Sequence, residues 1–180
     1  MKNLKTLFLT TLLIVITPVF VVADDNDSHG SDFEPVNNET YSEECGMCHF
    51  AYFPGMLPSQ SWELLLSDLK LGNHFGEVLE INETTKNQII DYLIKYSADR
   101  SKYRRSKKIM RSLGHDAIPN RISEIPHIKD KHRKIPQKLI NENSEVESLS
   151  NCDSCHREAE KGIFDDDTVL IPGYGKWDDD

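Results

Sequence analysis

Two copies of one pentapeptide pattern constrain this chain more than any other feature: Cys45-Gly46-Met47-Cys48-His49 and Cys152-Asp153-Ser154-Cys155-His156. Each sets two thiols and an imidazole within the reach of one helical turn. At that spacing the thiols can add to the two vinyl groups of a single haem, and the adjacent histidine reaches the iron from the same side of the macrocycle. Other chemistries share part of the pattern. Four thiolates could build a structural zinc site, and a CxxC pair could be a redox dithiol, although the surrounding βαβ pattern is missing. Four cysteines in an exported protein could also form two disulfides. None of these accounts for a histidine in fifth position in both copies. The reading is therefore two covalently attached haem c groups, held by Cys45, Cys48, Cys152 and Cys155, with His49 and His156 as proximal iron ligands.

Such attachment belongs outside the bacterial cytoplasm, and the N-terminus agrees. Lys2 and Lys5 precede an apolar run from Leu7 to Val22, and Val21-Val22-Ala23 supplies the small residues of a cleavage site before Asp24. Residues 1–23 read as a signal peptide and the destination as the periplasm; if the segment is retained, it becomes an anchor. No other stretch is apolar enough to span a bilayer. The 157 residues from 24 to 180 suffice for one domain or two small ones. The formal charge of -9 becomes -11 without Lys2 and Lys5, and it is unevenly spread. Lys95–Lys138 holds 14 Lys/Arg against 4 Asp/Glu, whereas the rest of the mature chain has 5 against 26. An acidic exported chain is not expected to bind nucleic acid. Its basic middle is a candidate docking surface for an acidic partner, weighed evenly against a solvated face that balances haem propionates.

A six-coordinate haem needs a second axial ligand, usually His or Met. Met47 lies inside its own motif, Met56 follows His49 too closely to wrap around the haem, and Met110, in a basic helical stretch, reads as a core or surface methionine. His29 falls in a loose Asp/Ser/Gly-rich start. His74 is the best candidate, because it follows a helix with Trp62, Leu65, Leu66 and Leu69 on one face and a turn at Gly72. Among His115, His127 and His132, spacing does not decide. His49 and His74 are 25 apart, and His132 and His156 are 24 apart, which suggests that each haem uses a nearby histidine.

The chain resembles the bacterial dihaem cytochrome c family. The resemblance rests on Cys45–Tyr52, Leu57-Pro58, Ser61-Trp62 and His74-Phe75-Gly76, then on Arg121–Pro126 with Lys131-His132-Arg133. It is completed by Cys152–His156 with Ala159, Gly162 and Ile171-Pro172. It implies His74 and His132 as the distal ligands, and it puts His127 where relatives carry an aromatic residue. It further implies a small periplasmic electron carrier with two bis-histidine haems. Its partners would be a membrane cytochrome donor and a high-spin oxygen-binding cytochrome or another acceptor.

The expected fold is mainly α, a small helical cytochrome whose core is built around the two haems. A flexible acidic lead (24–40) precedes an N-terminal haem-binding half (41–98) and a C-terminal half (99–180). Helices are expected around the first motif, over 61–71 with Ser61 as N-cap, and over 84–98, 101–113, 127–133 and 152–161. Residues 117–126 should be extended around Pro119 and Pro126. Two histidines per iron leave no open position, which suits a low-potential electron relay rather than catalysis. The rivals are a dihaem peroxidase or oxidase and a haem-based small-ligand sensor.

Overall fold

A computed structural model of the chain describes residues 30–67 and 74–178. The signal segment, His29, and the Leu69 and Gly72 invoked for the second helix lie outside the described residues. The fold is mainly helical. In chain order the helices are α1 (Glu39–Gly46), α2 (Ser59–Ser67), α3 (Glu83–Lys95), α4 (Arg104–Ser112), α5 (Pro126–His132) and the single turn α6 (Cys152–Cys155). Short 3-10 turns join them, and a two-stranded antiparallel hairpin follows: β1 (Leu170–Ile171) and β2 (Gly175–Lys176). No described helix is long and apolar enough to cross a membrane.

Local chemistry accounts for three of the six described helix starts. Asn38 and Asn82 cap α1 and α3, their side chains accepting from the backbone N–H of Tyr41 and Thr85. Pro126 opens α5, where its missing N–H is of no consequence. The start of α2 departs from the expectation. Ser61 is not its cap but a fully buried residue inside it. The helix begins at Ser59, whose N–H and hydroxyl both donate to the carboxylate of Asp99, at 2.7 and 2.9 Å. The capping group thus comes from 40 residues away. The expected helix over 152–161 also breaks. His156 leaves α6 in extended conformation and bridges to Val169, so the backbone turns away before the 3-10 turn Ala159–Lys161. Likewise the 117–126 stretch contains a 3-10 turn, Ile122–Glu124.

α3 packs on α1 and α2, and α4 packs on α5. One apolar cluster includes Leu57, Trp62 and Leu93 from the first half of the chain and Ile109, Ile125 and Phe164 from the second. Its aromatic centre is Phe33, Phe53 and Phe164, with ring centroids 5.6–6.2 Å apart. Within the stretch read as acidic lead, Phe33 is 1% exposed and Asp32 is bonded to the C-terminal half through both backbone and side chain. The Asp32 N–H donates to Gly162 O at 2.8 Å, and its carboxylate accepts from the Phe164 N–H at 2.9 Å. Gly162 adopts φ +75, and a Cβ there would meet the Ser31 hydroxyl and lie 3.1 Å from the Phe53 ring. Only glycine fits that turn without strain.

Candidate functional site

The two motifs face two separate clefts. α1 delivers Cys45, and the chain then runs off its end so that Cys48 and His49 also line the first cleft. The opposite wall carries His74, with Leu57, Trp62, Leu65, Leu66, Ile89 and Leu93 between. The cavity measures 530 Å³. α6 supplies Cys152 and Cys155 to the second cleft, and His156 follows directly. His132, at the end of α5, faces it across Ile128, Leu149, Phe164 and Val169. The cavity of this cleft is smaller, 160 Å³.

The histidines are arranged in facing pairs. His49 and His74 have ring centroids 6.1 Å apart with planes 20° from parallel. His132 and His156 are also 6.1 Å apart, with planes at 74°. Two imidazoles that share one metal ion lie about 6 Å apart centre to centre, given roughly 2 Å per metal–nitrogen bond and roughly 1 Å from nitrogen to ring centre. In each pair one ring is fixed by its Nδ1 against a backbone carbonyl: His49 on Phe50 O at 2.7 Å, His132 on Ile128 O at 2.8 Å. Such a bond holds the proton on Nδ1 and leaves Nε2 free to donate its lone pair. The other member of each pair, His74 or His156, has a buried Nδ1 with no hydrogen-bond partner.

Electrostatics favour the neutral rings that a metal needs. Burial lowers the His74 pKa, helped by His49. Burial, then His132 and Arg105, push His156 down to about 4. The cysteines move in the opposite sense. Burial, with Glu44 beside Cys45 and Asp153 beside Cys152, pushes each of these thiols up to about 12. Thiols held protonated in apolar walls are poorly suited to dithiol exchange, which requires the thiolate. The four cysteines also line different clefts, so they do not converge on one ion. Thioether attachment needs no persistent thiolate, and the two walls fit a haem each.

The other candidates lie elsewhere. His115 is 99% exposed and pairs with neighbouring Asp116. His127 lines neither cleft, and its backbone N–H donates to the Ser112 hydroxyl. Met56 is buried in the apolar cluster, Met110 packs partly against it, and Met47 is 76% exposed.

Three features of the site carried no sequence argument. The clefts share a partition, because Ile122 and Asn151 line both. Tyr52 crosses it: its ring stacks on His49 at 5.0 Å, and its hydroxyl donates to Ser150 O at 2.8 Å. The same carbonyl accepts from the Cys152 N–H at 3.0 Å, so a bonded path links the wall of one cleft to a motif cysteine of the other. Tyr52 stands three residues after the first motif, but nothing local to it names a partner 98 residues away. Beside the second cleft, Arg105 pairs with Asp32 at 2.9 Å. Arg121 lies 3.9 Å over the Phe75 ring at the rim of the first.

These clefts define a protein that carries two covalently bound haem c groups in separate, adjoining pockets. The model of the dihaem cytochrome c family matches residues 41–164. A dihaem cytochrome c from Shewanella baltica OS155 is 35% identical, with a TM-score of 0.64, covering 78% of this chain and 98% of that one. One from Rhodobacter sphaeroides is 38% identical, with a TM-score of 0.62, covering 72% and 98%. Among curated proteins none matches. The chain belongs to the dihaem cytochrome c family, and it is a dihaem electron carrier.

Proposed function

We propose that this carrier is an exported, low-potential electron relay in which each haem iron is closed by two histidines, His49 with His74 and His156 with His132. The observation that carries the proposal is the pair of facing imidazoles in each cleft, spaced as two ligands of one iron would be. Each haem, when bound, supplies a one-electron iron couple. The chain's part is to hold the axial nitrogens, fix their tautomers and surround them with apolar side chains. Two axial histidines leave no coordination site for oxygen or peroxide, which favours transfer over catalysis. Imidazole in place of methionine sulfur also keeps the potential low. Tyr52 and the Ser150 carbonyl provide a short bonded connection between the clefts, as a two-centre relay requires. The N-terminal segment 1–23 supports export to the periplasm. A membrane cytochrome as donor and a high-spin oxygen-binding cytochrome as acceptor fit a relay of this kind.

The test is spectroscopic. The oxidised protein should be wholly low-spin. Its EPR spectrum should show two different signals, since one imidazole pair is near parallel and the other near perpendicular. The reduced protein should ignore carbon monoxide. A high-spin component, or rapid carbon monoxide binding, would overturn the bis-histidine assignment and favour a dihaem enzyme or sensor. His74→Met and His132→Met should each alter one EPR signal and leave the other.

A further inference from the structure

The basic middle of the chain is gathered onto one face. α4 carries Arg104, Lys107, Lys108 and Arg111 at i, i+3, i+4 and i+7, with no acidic residue in the helix. The buried side of the same helix is Ser106 and Ile109. α5 packs against α4 and adds Lys129 and Lys131, and Arg133 and Lys134 follow it. Several of these charges have local partners: Arg105 pairs with Asp32, Lys131 with Asp166 and Arg133 with Asp130. The α4 stripe remains in cationic excess. Lys108 has a lowered pKa, first from burial and then from Arg104, Arg105 and Lys131, so these cations crowd one another. Crowded like charges oppose folding, and an anionic surface is what relieves them.

Position gives this face a use. Arg105 and Lys131 bring it to the second cleft, whose lining also holds Lys176 and the carboxylates Asp166, Asp167 and Asp178, and His132 ends α5. Haem propionates do not account for the whole cluster, since Lys107 and Arg111 are exposed and line neither cleft. The first cleft differs. Its lining charges are Glu44, Glu77, Lys86 and Arg121, α1 adds Glu39 and Glu43 beside it, and Phe75 at its rim is 47% exposed. The chain as a whole is at -9, so an anionic partner meets overall repulsion that the α4–α5 face locally offsets.

Building on the electron-carrier reading, we propose that the α4–α5 face is the docking surface for an acidic redox protein, which exchanges electrons through the second cleft and not the first. The basic α4–α5 helices beside the second cleft, against Glu39 and Glu43 of α1 beside the first, then give the relay a direction.

Small redox probes test this on the intact holoprotein. For a protein of this net charge, oxidation of the reduced form by ferricyanide should speed up with added salt. The proposal requires the reverse, a fall of about tenfold from low to high ionic strength. Lys107→Glu with Arg111→Glu should cancel or invert that slope, and the milder Lys107→Gln with Arg111→Gln should halve it. Both variants should still exchange electrons with cationic hexaammineruthenium. Redox-inert hexacyanocobaltate, titrated into the oxidised protein, should shift the amide resonances of α4 and α5 and the haem methyls of the second cleft. A wild-type rate that rises with salt, an unchanged slope in the Glu variant, or shifts at the first cleft would each overturn the proposal while leaving the relay intact. Failure to exchange electrons with either probe would sink the relay reading itself.

Discussion

Neutralising Asp32 should raise the potential of one haem and not the other. Its carboxylate accepts from Arg105 Nη2 at 2.9 Å and from the Phe164 N–H at 2.9 Å, and both charges act on His156. In Asp32→Asn the amide oxygen can still accept from Phe164, so the wall is kept while one negative charge is lost. A unit charge two to three contact distances away, at an effective dielectric near 20, is worth about 1–2 kcal/mol. With about 59 mV per tenfold change for one electron, that is on the order of 40–90 mV. Asp32 is 28% exposed, and solvent screening trims the shift to some tens of millivolts. Loss of a negative charge favours the less positive reduced state, so the shift is upward. Arg105→Gln removes the opposite charge and should shift the same wave downward. Spectroelectrochemical titration of both variants reads this directly. If both waves move together, or if the two variants shift one wave in the same direction, then Asp32 and Arg105 are not the charges that tune the second cleft.

Other substitutions probe the connections between elements. Tyr52→Phe removes one neutral hydrogen bond, costing about 1 kcal/mol. It should slow inter-haem transfer after flash reduction severalfold with both potentials nearly unchanged; an unaltered rate would remove Tyr52 from the path. Gly162→Ala forces a left-handed backbone and crowds Phe53, so urea unfolding of the holoprotein should show a loss of about 2–5 kcal/mol. Asp99 is pulled below the usual carboxylate range: burial alone would raise it, but bonds from Ser97 and from the Ser59 N–H and hydroxyl prevail. A depressed pKa means that its contribution is present at neutral pH and is lost as pH falls through the folded value. Asp99→Asn should therefore flatten stability against pH below about pH 4, and Asp99→Ala should cost about 1 kcal/mol through the lost cap.

What the sequence determines by itself is what short range can hold. Two thiols and a histidine in five residues specify a covalent haem wherever the chain folds, and the count of two follows. The spans of α3 to α5 were legible to within a few residues, since Asn82, Pro126 and the apolar spacing act locally. The start of α2 was not, because Asp99 reaches it from 40 residues away. Nor was the break at His156, which depends on a bridge to Val169. Spacing along the chain left His115, His127 and His132 equivalent. Only the packing of α5 across from α6 turns His132 toward His156 and leaves His115 in solvent. The same holds for the partition, where Tyr52 meets Ser150, and for the α4–α5 face, whose charge was visible as a run of residues. Its place beside the second cleft was not, since a run of charges has no direction until a tertiary contact gives it one.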